Sequence, residues 1–230
     1  MRGLLEGGEG CDNGNRLDGD CCSSTCQIEP LSDTDGDGIC DAQDPCTNVA
    51  GAHDFFDTPK PKLVVSKIGS DTTAGNDKLT FSGEFLLPPG SSFSQLHPDT
   101  NGARIVIKNA AGVTRLDATL PAGAYAGRHT RGWSNRRATM WTYADDAASP
   151  VAGIVKMTVA AGDQPTSRQV RVKVTGKNGA YPIVPGDEPL RVTVVLGGPA
   201  ASQGGDCGES DFQPENCVFN RTQNRLTCRK

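Results

Sequence analysis

Between residues 62 and 200 the chain alternates apolar and polar side chains with a period of two. Leu63-Val64-Val65-Ser66-Lys67-Ile68 opens the pattern, and 78–86, 103–108 and 113–120 continue it. Further strands are expected at 138–143, 153–159, 169–175 and 190–196. Val170-Arg171-Val172-Lys173-Val174 shows the rule most clearly. Successive side chains of a strand point to opposite faces, so the valines go in and the cations out. Asn109-Ala110-Ala111-Gly112 is a turn between two paired strands. Pro88-Pro89-Gly90, Lys177-Asn178-Gly179 and Val184-Pro185-Gly186-Asp187 separate others. No helix longer than two turns is expected. Short strands at this spacing predict an all-β fold, an antiparallel β-sandwich over 62–200.

The alternation stops on both sides. Residues 1–32 are rich in Gly, Asp, Asn and Cys and nearly lack apolar side chains, so they form a cysteine-rich module that disulfides must hold together. Residues 33–57 carry a ladder of aspartates, and Pro59-Lys60-Pro61 is a stiff linker into the sandwich. The tail, 207–230, is expected as a separate hairpin. Two short strands around Arg221–Asn224 would set Cys217 opposite Cys228, within disulfide reach given the right register. Cys207 then needs a partner elsewhere, and one in the N-terminal cluster would tie the two ends of the chain together.

The disulfide candidates are Cys11, Cys21, Cys22, Cys26, Cys40, Cys46, Cys207, Cys217 and Cys228, with none between 47 and 206. Clusters at both ends of a cysteine-free core point to an oxidising compartment, hence a secreted protein at the cell exterior or outer surface. Zinc sites are the alternative, but no clean Cys-x₂-Cys pair occurs and the chain has 3 histidines. Nine is odd, and Met1–Gly10 has no apolar export segment, so an upstream stretch carrying the signal is expected. No run is apolar enough to span a membrane.

The formal charge of −4 hides a division. Residues 1–57 hold 13 acidic and 2 basic side chains, a net of −11; residues 58–230 hold 14 acidic and 21 basic, a net of +7. The acidic part repels itself without cations. The basic part suits an acidic partner, including the acidic part of another copy, so head-to-tail self-assembly is expected as one mode of partnering, with a surface polysaccharide as the other. A nucleic-acid partner is not expected for an acidic, secreted chain.

The acidic part also carries the clearest chemistry. In Asp33-Thr34-Asp35-Gly36-Asp37-Gly38-Ile39-Cys40-Asp41-Ala42-Gln43-Asp44, carboxylates occupy positions 1, 3, 5, 9 and 12. Ca²⁺ takes six to eight oxygens, and this spacing offers Asp33, Asp35, Asp37, Asp41 and Asp44 with the Ile39 carbonyl at position 7 and Gly38 at the sharp turn. Asp44 stands where an EF-hand has a bidentate glutamate, and no amphipathic helices flank the loop, so a regulatory sensor is not expected. Residues 33–46 resemble a thrombospondin type 3 repeat. The resemblance implies a calcium-wrapped, disulfide-pinned extracellular segment with those five aspartates as ligands; the family strings several repeats together, whereas one is present here. Asp54 and Asp57 either complete a second calcium site or stay solvated.

Glu9-Gly10-Cys11-Asp12-Asn13-Gly14-Asn15, followed by Gly19-Asp20-Cys21-Cys22-Ser23-Ser24-Thr25-Cys26-Gln27-Ile28-Glu29, extends the picture. Residues 3–29 resemble the cysteine-rich repeat found in surface proteins of myxobacteria and their relatives. Copies of that repeat begin with a further cysteine, which would bring the complete protein to ten. The resemblance implies extracellular placement and no activity.

Arg128-His129-Thr130-Arg131-Gly132-Trp133-Ser134-Asn135-Arg136-Arg137, with Trp141 beyond, is the most basic stretch. Either its tryptophans stack on sugar rings or it is a solvated loop whose tryptophans turn into the core; the second is favoured. Catalysis is not expected. His53, His97 and His129 are isolated, no nucleophile elbow or His-Glu-x-x-His occurs, and the acid pairs Asp145-Asp146 and Asp187-Glu188 fall in turn-like sequence. The expected role is an extracellular, calcium-stabilised structural or adhesive protein of a bacterial surface or matrix, a subunit of a fibre in its sharpest form. The alternative is a secreted carbohydrate-binding module.

Overall fold

The structure is a computed structural model that describes residues 23–27, 29, 34, 41, 44–48, 61–69, 75–136, 138–196 and 205–230, the side chain of Arg136 excepted. Two antiparallel sheets pack face to face. The larger uses β1 (Lys62–Ser66), β2 (Asp77–Leu86), β5 (Arg131–Arg136), β6 (Met140–Asp145), β7 (Ile154–Ala161), β8 (Gln169–Gly179), β11 (Cys217–Phe219) and β12 (Arg225–Arg229). The smaller uses β3 (Ala103–Lys108), β4 (Thr114–Leu120), β9 (Leu190–Leu196) and β10 (Cys207–Phe212). Strand order is β11-β12-β1-β2-β8-β7-β6-β5 in the first and β10-β9-β3-β4 in the second. Among the described residues the one α-helical turn, Pro98–Asn101, is four residues long.

The period-two pattern explains the core. In β8 the burial follows the sequence: Val170, Val172 and Val174 are buried, while Arg171 and Lys173 are exposed. The inward side of the large sheet contributes Leu63, Phe81, Phe85 and Tyr143, and the small sheet answers with Ile105, Ile107, Val192 and Val194. Such continuous apolar burial is the main stabilising term for a domain of this size.

Three strands depart from expectation. β8 continues to Gly179, taking in Lys177-Asn178-Gly179, expected as a turn, because β2 pairs with it as far as Asp77. β5 runs through the basic stretch expected as a loop, paired with β6 at the edge of the large sheet, Trp133 opposite Tyr143. It has a single large apolar side chain, which leaves no alternation to recognise. β10, Cys-Gly-Glu-Ser-Asp-Phe, contains almost no strand-favouring residues. It forms because β9 offers a complete ladder from Leu190 to Val195. The tail is therefore not the separate module expected at 207–230: 207–212 belongs to the small sheet, and the 217–229 hairpin extends the large sheet through β12 and β1. The hairpin does place Cys217 opposite Cys228, and they are bonded.

Among the described residues no helix is long and apolar enough to cross a membrane.

Candidate calcium segment and its anchor on the sandwich

Of the expected calcium ligands, Asp33, Asp35, Asp37 and Ile39 lie outside the described residues, as do Asp54, Asp57, Cys11, Cys21, Cys22 and Cys40. Asp41 and Asp44 are described. Thr34, at ladder position 2, donates its backbone N–H to Asp41 Oδ1 at 2.8 Å and its hydroxyl to Asp41 Oδ2 at 2.7 Å. Position 2 thus meets position 9, so the two ends of this stretch come together, as a loop around one cation requires. Each Asp41 oxygen accepts one bond from Thr34, and a carboxylate oxygen has a second lone pair. Nothing in the sequence reading assigned this pinning role to Thr34, although a hydroxyl seven residues before a carboxylate was visible. Among the described residues alone, no group of three or more metal-binding side chains converges.

Asp44 is buried, and its Oδ1 accepts the backbone N–H of Cys46 at 2.8 Å. This short turn fixes the exit of the ladder. Two residues on, Cys46 is bonded to Cys207 at the start of β10, across a sequence separation of 161. Cys46, Cys207 and Val195 form a small apolar cluster of their own, apart from the main core, so the contact lies on the outward face of the small sheet. Asn48, 1% exposed, completes the attachment. Its amide donates to the Leu86 carbonyl of β2 and to the Cys207 carbonyl of β10, both at 2.9 Å. One side chain therefore joins the end of the large sheet to the start of the small one. Gly208 permits the arrangement: a Cβ there would fall 2.5 Å from the Phe85 ring, so only glycine lets β10 lie this close to β2. Asn48 could not have been found from the sequence, because its partners lie 38 and 159 residues away.

Asp206 borders the same attachment. Its Oδ1 is enclosed without a hydrogen-bond partner, and burial raises its carboxyl above the usual range. A carboxyl whose folded value exceeds its unfolded one adds nothing unfavourable at low pH; the cost of its charge appears as pH rises through the window between the two values. Asp206→Asn is therefore expected to stabilise the protein at neutral pH, the gain vanishing below about pH 4. Urea midpoints of both proteins across that range test this; a loss of stability at neutral pH would contradict it.

The remaining cysteine of the described residues, Cys26, closes a tight turn by donating its N–H to the Ser23 carbonyl at 2.8 Å. The acid pairs that a hidden active site might have used hold turns. Asp145 is buried, accepts from the Tyr143 hydroxyl and from the N–H groups of Ala147 and Val151, and lies 3.6 Å from Arg131. Asp146 accepts from Tyr125. Asp187 accepts from Asn109, Arg115 and the N–H of Val184; burial alone would raise its carboxyl, but these donors more than offset that and hold it below the usual range. Glu188 accepts from Gly186.

The sugar-stacking reading of the basic stretch is corrected. Trp133 is 1% exposed, donates Nε1–H to the Pro121 carbonyl at 3.0 Å and packs on Tyr143 with ring centroids 5.2 Å apart. Trp141 is 7% exposed, with His97 edge-on. Both are core residues without a free ring face, as the favoured reading expects.

The fold and attachment define an all-β antiparallel sandwich with an N-terminal segment bonded to it by disulfide. No family model, curated protein or solved structure matches this chain.

Proposed function

We propose that this chain is an extracellular structural protein of a bacterial surface or matrix, in which a calcium ion held by the aspartate ladder stiffens the segment bonded to the sandwich through Cys46. The observation that carries this reading is the Cys46–Cys207 bond, which fixes the last ladder residues to the sandwich and belongs in an oxidising compartment. Asp33, Asp35, Asp37, Asp41 and Asp44, with the Ile39 carbonyl, would supply the oxygens. Bound Ca²⁺ would contribute structural cross-linking of these carboxylates and partial neutralisation of a strongly acidic segment. A ladder whose flanking sequence lacks the apolar periodicity of amphipathic helices favours a static role over a switch. The thrombospondin-like and myxobacterial resemblances support the same placement.

Chelation tests the reading. Removing Ca²⁺ is expected to expose 33–57 to limited proteolysis and fast amide exchange while the sandwich keeps its far-ultraviolet β signal. Native mass spectrometry should show at least one bound ion lost over the same range. Absence of any bound calcium would overturn the metal assignment. Loss of the β signal at the same chelator concentration would show that ladder and sandwich unfold together.

A further inference from the structure

The outward face of the large sheet is a bed of cations. Register places Lys177, Lys78, Ser66 and Arg225 in one row across β8, β2, β1 and β12. A second row runs Lys173, Ser82, Lys62 and Arg229. Between them lies a neutral row, Thr175, Thr80, Val64 and Thr227. Lys173 and Lys177 are four residues apart on one strand, so the two rows are about 13 Å apart. Lys62, Lys173 and Arg225 border a shallow groove whose floor is Val64, Thr80 and Ser82. Among the described residues of these strands, Glu84 is the one carboxylate that alternates outward, and it is engaged by Gln169 and by Arg171 at 3.4 Å.

Folding does not call for this arrangement. Lys78 and Lys177 are direct cross-strand partners, and like charges opposite each other destabilise a sheet. At about 13 Å the two rows lie beyond the screening length of about 8 Å at physiological salt, so the repulsion that counts is the one within each row. The cations of the small sheet's outward face differ. Arg104 holds Asp117 at 2.7 Å, and Arg191 holds Asp211 at 2.8 Å and Glu209 at 3.4 Å. Among the described residues, one face of the sandwich is neutralised within itself, and the other is left positive.

We infer that this basic face receives the acidic N-terminal segment of a second copy. The inference rests on the fibre-subunit form of the function proposed above. Residues 1–57 carry a net −11, and two cation rows about 13 Å apart suit a polypeptide segment with carboxylates along both sides. The segment's own anchor, through Cys46 beside Val195, is on the outward face of the other sheet. Each molecule therefore anchors its acidic segment on one side and carries a basic face on the other. Such a contact is heterologous: where the rotation between copies does not close a ring, it leaves one half free at each end and grows an open chain.

The test uses the full chain with calcium, examined by negative-stain electron microscopy and sedimentation. Wild type is expected to form filaments that shorten at about 1 M salt, where screening reaches about 3 Å. Lys62→Glu/Lys173→Glu/Arg225→Glu is expected to be monomeric with an unchanged circular-dichroism spectrum. Added in small amounts to wild type, it should shorten the filaments, because its intact acidic segment caps a growing end. Should the triple variant misfold, Lys173→Gln/Arg225→Gln reports on the same contact and is expected to raise the critical concentration for assembly at least tenfold. Filaments equally abundant in a folded variant would overturn the basic face as the contact while leaving the fibre reading intact. Monodisperse wild type at every salt concentration would overturn the fibre reading itself. Monomeric wild type that binds a polyuronate through Lys62, Lys173 and Arg225 would assign the face to a polysaccharide instead.

Discussion

Cys46→Ser is expected to lower the stability of the whole protein by about 3–5 kcal/mol, because the bond it removes closes the longest loop among the described disulfides. Cross-linking residues 161 apart removes a large set of unfolded conformations. For a chain of this length the loss corresponds to a melting temperature lower by roughly 6–15 °C. A second effect should accompany the first. Asp44 is oriented by the N–H of Cys46, so without the bond the end of the ladder is no longer held against the sandwich. Calcium affinity should then fall on the order of tenfold, the ordering of the loop now being part of the cost of binding. Cys217→Ser provides the contrast. It opens a loop with a sequence separation of 11 that holds no ladder residue, and should cost about 2–3 kcal/mol without moving the calcium titration. Calorimetry and calcium titration of both variants check this. Equal effects of the two substitutions on calcium affinity would break the link between Cys46 and the ladder.

Trp133→Ala is expected to destabilise the fold by about 3–5 kcal/mol, as deletion of a large buried aromatic does. The ring is enclosed, its N–H is satisfied by the Pro121 carbonyl, and its removal would leave a void beside Tyr143. The measurement is a chemical denaturation curve. Unchanged stability would mean that the ring is not the core element described and would restore it as a candidate for surface contact. Phe81→Ala, in the centre of β2, should give a comparable loss and calibrates the result.

The sandwich was legible wherever one face of a strand is wet. β3 and β9 begin and end where alternation predicts, and β8 separates its valines from its cations as drawn. Legibility failed where burial does not follow a period of two. β10 has Cys207, Gly208, Glu209 and Ser210 all buried in succession, so no contrast between its faces is written into it. Glu209 is compensated in that burial by Thr193, which donates to it, and by Arg191 3.4 Å away, partners contributed by another strand. The ladder was legible only as an expectation of calcium chemistry, since the spacing of its aspartates is local. Its attachment was not: the Cys207 partner and the bonds of Asn48 depend on where Leu86 and Val195 lie in three dimensions. The like-charged rows were half visible. The alternation within β8 could be seen, but the opposition of Lys78 and Lys177 is a property of register.

The two disulfides together also determine how the molecule would respond to force. Suppose the acidic segment is pulled from one end and the C-terminal strand from the other. The covalent path enters at Cys46, crosses to Cys207, follows the backbone to Cys217 and crosses again to Cys228. Residues 47–206 and 218–227 lie in closed side loops and carry no tension. The backbone between the two crossings can stretch to about 35 Å at most, little more than its length as strand and turn. The nine strands β1 to β9 are thus bypassed, and a chain of such molecules would stretch only slightly under a pull that unravels an unbridged sandwich.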